Sequence, residues 1–231
     1  IYEAFQTIPR AAFLPRRERR SASRDSSLPT QVDDTITSQP RLIYKMLAYL
    51  DLEPGQRVLE VGAGSGFVTA LLAHIVRQRG FWSKIMSFLS RLVRGPSVVG
   101  VEINPRMARW ARRVLHTRGI RDAAIVTGNA LHYDAAAHQG SVDRILVSAE
   151  AEPGMIERLL PALREGGRLI APVKLPVHDQ VDTGATSRLR LYERINGTIE
   201  ARDLDVYTRF VDLKERDPRR PARSRDRALV L

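Results

Sequence analysis

The sequence predicts an α/β protein built on a doubly wound, mostly parallel sheet, and two observations carry this prediction. Short apolar segments, typical of buried strands, alternate along the chain with segments of helical periodicity. The first apolar segment, residues 58–61, also leads into a glycine-rich turn and then into a helix expected to begin near Val68. A strand, a glycine-rich turn and a helix in this order are the unit from which doubly wound sheets are built.

The other elements follow from the same patterns. Four further strand segments are predicted, at residues 97–103, 125–129, 142–147 and 163–173. The last segment (LREGGRLIAPV) is expected to start with a helix end and a Gly-Gly turn before its strand. Helices are predicted at the start of the chain, from about Pro40, and over residues 105–118. With 43% hydrophobic content, one domain over residues 1–213 is the expected organisation.

The glycine-rich turn is the candidate ligand site. Gly62, Gly64 and Gly66 alternate, and the acidic Glu60 precedes them on the predicted strand. Glycines at such a turn let the backbone approach a ligand beside the amides of the helix N-terminus. A dinucleotide-binding turn reads G-x-G-x-x-G, but Phe67 stands where that pattern needs its third glycine. The turn therefore indicates a nucleoside ligand of another class, or else a βα turn with no ligand.

Two polar residues at the ends of later strands fit a nucleoside. Glu102 ends the second strand, where a carboxylate can accept hydrogen bonds from both ribose hydroxyls. Asn129 ends the third strand, where its amide oxygen can accept from the adenine amine. Glu102 lies 40 residues after Gly62, whereas the usual interval is about 20. Removing residues 78–96 restores that interval, so this segment is predicted to be an insertion after the first strand–helix unit.

The insertion has the pattern of an amphipathic helix. Apolar and aromatic side chains within residues 81–93 recur at helical spacing, and serines and cations occupy the other face. The helix either extends the core beside the ligand site or lies on a membrane surface or a partner protein. The sequence leaves both interpretations open.

Composition narrows the function classes. The chain has no cysteine, which excludes disulfides, thiolate catalysis and cysteine-based zinc sites and suits a cytoplasmic protein. The five histidines show no metal-ligand spacing, so no metal site is predicted. The net charge of +11 is concentrated in four segments, at residues 10–24, 77–94, 106–118 and 214–231. These segments are either solvated faces or a basic surface for acidic proteins, RNA or anionic lipid. The last of them is predicted to be a disordered tail.

The pattern from Glu60 to Gly66 resembles the first motif of class I S-adenosyl-L-methionine (SAM) methyltransferases. Residues 8–15 (IPRAAFLP) and 35–40 (TITSQP) resemble two motifs of the protein-L-isoaspartate O-methyltransferase family, V-P-R-x-x-F-V-P and T-I-S-Q-P. Residues 168–173 (RLIAPV) and 209–213 (RFVDL) resemble later segments of the same family. The resemblance implies a Rossmann-like class I methyltransferase fold and methyl esterification of an aspartyl or isoaspartyl carboxylate in a protein or peptide.

The resemblance also implies site residues. SAM would be bound by Glu60, Gly62, Ala63, Gly64, Ser65, Gly66, Glu102, Ile103, Gly128, Asn129 and Ser148. Ser38 would hold the acceptor carboxylate, with Thr37 and Thr35 as neighbours that share the task. A structural alternative is that Thr37 or Ser38 instead caps the helix that starts near Pro40.

The chain departs from the family pattern at several positions. The acceptor motif is one residue longer than T-I-S-Q-P, Asn129 replaces the usual Asp, and Glu150 and Glu152 stand in a normally alanine-rich run. Two carboxylates there would repel an anionic acceptor unless they point away. A divergent member acting on one specific peptide is therefore expected. An RNA methyltransferase, or a non-catalytic membrane or assembly factor with a SAM-like pocket, is the alternative.

Overall fold

The computed structural model describes residues 1–32, 35–77, 95–132, 139–152, 154–176, 184–210 and 213. Its helices are α1 (Tyr2–Thr7), α2 (Pro40–Leu50), α3 (Phe67–Val76) and α4 (Pro105–Thr117). Its strands are β1 (Leu28–Pro29), β2 (Ile36–Thr37), β3 (Val58–Val61), β4 (Val98–Glu102), β5 (Ala123–Thr127), β6 (Val142–Val147), β7 (Leu163–Lys174), β8 (Ser187–Ile195) and β9 (Thr198–Thr208).

Within the described ranges, seven strands form one sheet in the order β5-β4-β3-β6-β7-β8-β9. The first five run parallel to one another, and β8 is antiparallel to both of its neighbours. The chain leaves β3 for β4 on one side and later returns to β6 on the other. A crevice therefore opens at the carboxyl end of β3, where doubly wound sheets bind ligands. The prediction of a doubly wound, mostly parallel sheet is confirmed.

The central strands are apolar because they are covered on both faces. Every residue of β3 (VLEV) and of β6 (VDRILV) is buried, as expected for strands inside a parallel sheet. On one face the sheet packs against α2, α3 and α4 through one cluster of buried side chains. On the other face a second cluster joins the sheet to short 3₁₀ turns between residues 156 and 162.

One predicted element differs. The sequence of residues 163–173 was expected to begin with a helix end, whereas β7 is continuous from Leu163 and a 3₁₀ turn precedes it. Gly166 and Gly167 lie inside this strand, and Gly166 has a φ of 71°. The strand pairing is irregular nearby, between Val142 and Arg144 of β6. The Gly-Gly pair therefore marks a β-bulge, a use of glycine that a sequence pattern does not separate from a turn.

A short hairpin and two 3₁₀ turns lie in the N-terminal region before α2. β1 and β2 pair as a small antiparallel hairpin, with Leu28 opposite Thr37, and α2 follows directly. Two 3₁₀ turns, Arg10–Phe13 and Arg16–Ser21, precede the hairpin. Apart from residues 95 and 96, the predicted insertion at 78–96 lies outside the described residues, as does the predicted tail at 214–231.

Candidate functional site

The glycine-rich turn connects β3 to α3 at the carboxyl edge of the sheet. Gly62, Gly64 and Gly66 have φ values of 83°, 52° and 83°, which L side chains rarely adopt. The amides of Gly62 and Ala63 donate to the Val101 carbonyl of β4 at 2.9 and 3.0 Å. Ser65 is buried. The turn is thus held against the neighbouring strand, and its glycines are required by backbone conformation.

Gly66 also meets a neighbouring helix. A Cβ atom added there would lie 3.1 Å from the Ala111 Cβ of α4. Gly197, in the tight turn between β8 and β9, has a similar φ of 76° but open space around its Cβ position. The two glycines therefore share a backbone requirement and differ in their surroundings.

This pair gives a matched test of the turn. We expect Gly66→Ala and Gly197→Ala each to lower stability by about 1 kcal/mol, because both place Ala at positive φ. Only Gly66→Ala should also weaken SAM binding, by about tenfold, because relieving the contact with Ala111 shifts the turn. Thermal unfolding and isothermal titration calorimetry measure the two effects. Equal SAM affinities in the two variants would contradict the assignment.

Glu60 is a fully buried carboxyl group below the turn. Its Oε2 accepts a hydrogen bond from the Thr69 hydroxyl of α3, while Oε1 has no hydrogen-bond partner among the described residues. Burial raises the pKa of Glu60 to about 8, and the negative charge of Glu102 adds to the rise. The hydroxyls of Thr69 and Ser148 oppose this shift in the pKa. Burial without a full set of hydrogen bonds therefore favours the protonated form of Glu60.

Glu102 ties the turn to the ends of β4 and β5. Its Oε2 accepts from the Gly64 amide and its Oε1 from the Asn104 amide, both at 2.8 Å. Its main-chain carbonyl accepts from the Gly128 amide at 3.1 Å. Burial raises the pKa of Glu102, and hydrogen bonds from the amides of Asn104, Gly64 and Ile103 limit the rise. Predicted site residues that are distant in sequence are thereby brought together around one carboxylate.

Asn129 and Ser148 were also predicted to bind the cofactor, and each has a structural role. The Asn129 Oδ1 accepts from the Leu131 amide at 2.9 Å and so fixes the 3₁₀ turn at residues 130–132. The Ser148 amide donates to the Val61 carbonyl at 2.8 Å. A Cβ at Gly62 would lie 3.6 Å from the Ser148 main-chain carbon. Ser148 therefore borders the turn, Asn129 follows Gly128, and the binding of a ligand by either residue stays a prediction.

The three predicted hydroxyls of the acceptor segment have different surroundings. The Thr35 hydroxyl donates to the Val32 carbonyl at 2.6 Å and contacts the Thr30 hydroxyl, so it stabilises the bend of the hairpin. Thr37 is buried in β2. Ser38 is half-buried, and no hydrogen bond joins its hydroxyl to the described residues. Ser38 is thus the hydroxyl best placed to meet a ligand.

The capping role considered for Thr37 or Ser38 is wrong. The N-cap of α2 is Gln39, whose side chain makes no capping bond. Asp25 instead satisfies the helix start, accepting from the Arg41 amide and from the Gln39 Nε2, each at 2.8 Å. The hydrogen bond from the Arg41 amide is the main cause that lowers the pKa of Asp25. The Asp25 carboxylate, from an earlier loop, therefore takes the place of a side-chain cap at the start of α2.

Arg10 organises the acceptor segment, and sequence reasoning did not assign it a role. Its buried guanidinium donates to the carbonyls of Arg24 (3.1 Å), Ser26 (2.9 Å) and Ser38 (3.2 Å), with a longer bond to Ala22. The only available signal was its place in the IPRAAFLP motif.

Phe13 of the same motif joins this segment to the glycine-rich turn. Its ring lies 5.6 Å, centroid to centroid, from the ring of Phe67, the first residue of α3. Arg10 and Phe13 belong to one short 3₁₀ turn. The Arg10–Phe13 turn therefore links Ser38 to the helix that follows the glycine-rich turn.

The two carboxylates expected to repel an anionic acceptor are engaged elsewhere. Glu150 is buried and accepts from the Thr186 hydroxyl at 2.6 Å. Glu152 forms an ion pair with Lys174 at 2.6 Å. Within the ranges that the structure describes, no three His, Cys, Asp or Glu side chains come together as a candidate metal site. No helix in the same ranges is long and apolar enough to cross a membrane.

The fold and the site define a class I SAM-dependent methyltransferase. The family model of protein-L-isoaspartate (D-aspartate) O-methyltransferases matches residues 1–217, and the chain belongs to this family. Protein-L-isoaspartate O-methyltransferase 1 of Archaeoglobus fulgidus is 34% identical over 174 residues, which cover 75% of this chain and 71% of the relative. The Korarchaeum cryptofilum relative is 37% identical over 176 residues, covering 76% and 74%.

Two solved structures show the same fold. One is described as a protein-L-isoaspartate O-methyltransferase from Plasmodium falciparum in complex with S-adenosyl-L-homocysteine, with a TM-score of 0.70, 20% identity and coverage of 92% of this chain and 89% of that one. Another protein-L-isoaspartate O-methyltransferase has a TM-score of 0.69 and 24% identity over 91% of this chain, which spans 59% of that chain.

Proposed function

We propose that this protein transfers the methyl group of SAM to the carboxylate of isoaspartyl residues in proteins or peptides. The observation that carries the proposal is the unengaged Ser38 hydroxyl. Arg10 fixes the backbone of Ser38, and Phe13 from the same turn packs on the helix that follows the glycine-rich turn. A hydrogen-bond donor for an acceptor is thus combined with a nucleoside site, in a chain whose relatives carry this activity in their names.

The residues present fit the cofactor. The glycines leave space for close approach of a ligand, since Gly62 and Gly64 lack side chains at positive φ. The unpartnered Oε1 of Glu60 is a buried acceptor for an N–H donor or a cation. The Glu102 carboxylate accepts three backbone amides and, with about four lone-pair sites, keeps capacity for a ribose hydroxyl. Gly128, Asn129 and Ser148 would border the remainder of the ligand.

The chemistry asks little of the protein beyond placement. Bound SAM supplies an electrophilic methyl group on a sulfonium. An acceptor carboxylate has a reference pKa of about 4 and is already ionised near neutral pH, so no general base is needed. Ser38 donates a hydrogen bond that holds one acceptor oxygen and orients the other. Proximity, orientation and exclusion of water then account for catalysis.

Transfer of labelled methyl to an isoaspartyl peptide, scored as base-labile methanol, tests the function. The same peptide with normal aspartate is the comparison, and label on the isoaspartyl peptide alone is expected. Ser38→Ala should lower kcat/KM about thirtyfold, because a hydrogen bond to a charged group is lost, while SAM affinity stays unchanged. Thr35→Val is the control, since its hydroxyl bonds within the hairpin. SAM binding without transfer to the isoaspartyl peptide would refute the proposal.

No described contact favours the RNA methyltransferase or the non-catalytic alternative. A carboxylate in one specific peptide would also fit the proposal. Such an acceptor and an isoaspartyl residue are both carboxylates on a peptide. The cytoplasmic location stays a prediction from the absence of cysteine.

A further inference from the structure

Arg24 lies beside the proposed acceptor site. The Arg10 guanidinium donates to the carbonyl of Arg24 at 3.1 Å and to the carbonyl of Ser38 at 3.2 Å. Two carbonyls bound by one planar group are held within a few ångströms of each other. The Arg24 side chain is exposed and forms no ion pair with a described residue. The backbone of an exposed arginine with no ion pair among the described residues is therefore held close to the backbone of Ser38.

Other exposed arginines extend this charge. We define the arginine surface as Arg16, Arg20 and Arg24 of the N-terminal segment and Arg106, Arg109 and Arg113 of α4. All six are exposed, and none forms an ion pair with the residues that the structure describes. The 3₁₀ turn Arg10–Phe13 packs against both the Arg16–Ser21 turn and α4. The Arg16–Ser21 turn and α4 therefore both border the turn that carries Arg10.

The acids next to these arginines in the N-terminal segment are paired with other groups. Asp25 is engaged by the N-terminus of α2 and by the Arg41 side chain at 3.4 Å. Glu18 lies 3.6 Å from Arg17, which is not part of the surface. Buried Arg10 donates only to carbonyl oxygens, so its charge also lacks a directly bound carboxylate. Asp25 attracts the charge of Arg10, so the unpaired positive charge of this region comes from the exposed arginines.

We propose that the arginine surface binds acidic residues that flank the acceptor in the peptide substrate, and that Arg24 contacts the nearest of them. This inference rests on the proposed function, because it names the substrate class of the same site. The peptide is favoured over RNA by the composition of the surface. Proteins that bind single-stranded nucleic acid without sequence preference combine cations with aromatic platforms. The exposed aromatic residues described are Tyr2, Tyr44 and Tyr207, and none belongs to the Arg16–Ser21 turn or to α4.

A pair of isoaspartyl peptides tests the surface. One carries Glu at two positions on each side of the isoaspartate, and the other carries Gln at the same positions. The wild-type protein should show a lower KM for the acidic peptide and similar kcat for both. Arg24→Gln should raise the KM of the acidic peptide about fivefold, the upper range for one exposed ion pair, without changing the KM of the neutral peptide. The triple variant Arg20→Gln, Arg24→Gln, Arg109→Gln should abolish the preference.

Arg202→Gln is the matched control. Arg202 is exposed on β9, the far edge strand, and its replacement removes the same charge from the whole protein. Equal KM changes in Arg24→Gln and Arg202→Gln would reduce the effect to net charge and overturn the proposal. An unchanged preference in the triple variant would overturn it as well.

A binding measurement separates this proposal from the proposed function. Calorimetry with the two peptides, without methyl transfer, should show tighter binding of the acidic peptide, which Arg24→Gln reduces and the triple variant removes. That result together with no transfer to either peptide would uphold the surface and refute the isoaspartyl activity. If a labelled single-stranded RNA instead binds in an Arg24-dependent way while the two peptides bind equally, the surface belongs to nucleic acid and the proposal fails.

Discussion

Arg10→Met should lower kcat/KM for the isoaspartyl peptide by at least about a hundredfold, more than Ser38→Ala, and should lower the free energy of unfolding by about 3 kcal/mol. Four carbonyl oxygens, at Ala22, Arg24, Ser26 and Ser38, would lose their shared donor. The segment carrying Ser38 and Arg24 would then separate from the turn that carries Phe13. SAM affinity should change little, because the glycine-rich turn is held by β4 and Glu102.

Arg10→Lys distinguishes charge from geometry. Lysine keeps the positive charge, but its single ammonium cannot span carbonyls that a planar fork reaches in several directions. We expect Arg10→Lys to resemble Arg10→Met in transfer activity. Recovery of most of the activity by lysine would mean that the charge of Arg10, and not the carbonyl contacts, supports the acceptor segment.

Arg144→Met is the control for loss of a buried guanidinium. Arg144 is buried in β6 and also donates to carbonyls, among them those of Leu50 at 2.6 Å and Asp51 at 3.0 Å. It lies near the amino end of the sheet, opposite the site, because it pairs with Val58 at the start of β3. Its loss should destabilise the fold similarly and leave kcat/KM per folded molecule near the wild-type value. Calorimetric unfolding and the label-transfer assay compare the variants.

Local sequence patterns predicted the elements around the glycine-rich turn well. The strand before Gly62, the turn and the helix after Gly66 form one contiguous segment, so the periodicity of the residues defines them. Glu102 could be assigned because parallel strands end at one edge of the sheet. The contact between its carboxylate and the Gly64 amide follows from that topology.

The acceptor half could be predicted only as a motif. The Thr35 hydroxyl looks equivalent to that of Ser38 in the sequence, yet the pairing of Leu28 with Thr37 turns it toward Val32. Asp25 replaces a local helix cap from a position that no capping pattern considers. The main-chain carbonyls that accept from Arg10 could not be identified from the sequence, because every residue has one. Contacts between loops depend on how two irregular segments meet, and residue type alone does not encode this.

The titration of Glu60 should lower the stability of the protein as the pH rises from about 4.5 to about 8. Its pKa is 4.5 when it is exposed and about 8 in the folded protein. Below pH 4.5 the group is protonated in both states and does not affect the balance. Between the two values the unfolded chain releases a proton that the folded chain retains, so stability decreases as pH increases. Above pH 8 both states are ionised and the loss is complete.

Glu60→Gln removes this titration. Each pH unit between the two pKa values contributes about 1.4 kcal/mol at most, so the variant should gain roughly 2 kcal/mol on the wild-type protein between pH 5 and pH 7. Urea unfolding at pH 5, 6 and 7 measures the gain. Glu200→Gln, at an exposed position on β9, removes one carboxylate that is not buried and serves as the comparison. A constant difference for Glu60→Gln would contradict the assignment of the buried charge.

The same substitution should weaken SAM binding, and this separates a functional carboxyl from a structural one. Glutamine can still accept from the Thr69 hydroxyl, but it places an amide or a neutral oxygen where Oε1 now lacks a partner. A cationic ligand favours the ionised form of Glu60, so its binding should release a proton near pH 7. Calorimetry in buffers of different ionisation enthalpy detects that proton, and Glu60→Gln should abolish it. A gain in stability with unchanged SAM affinity and no proton release would make Glu60 a purely structural group.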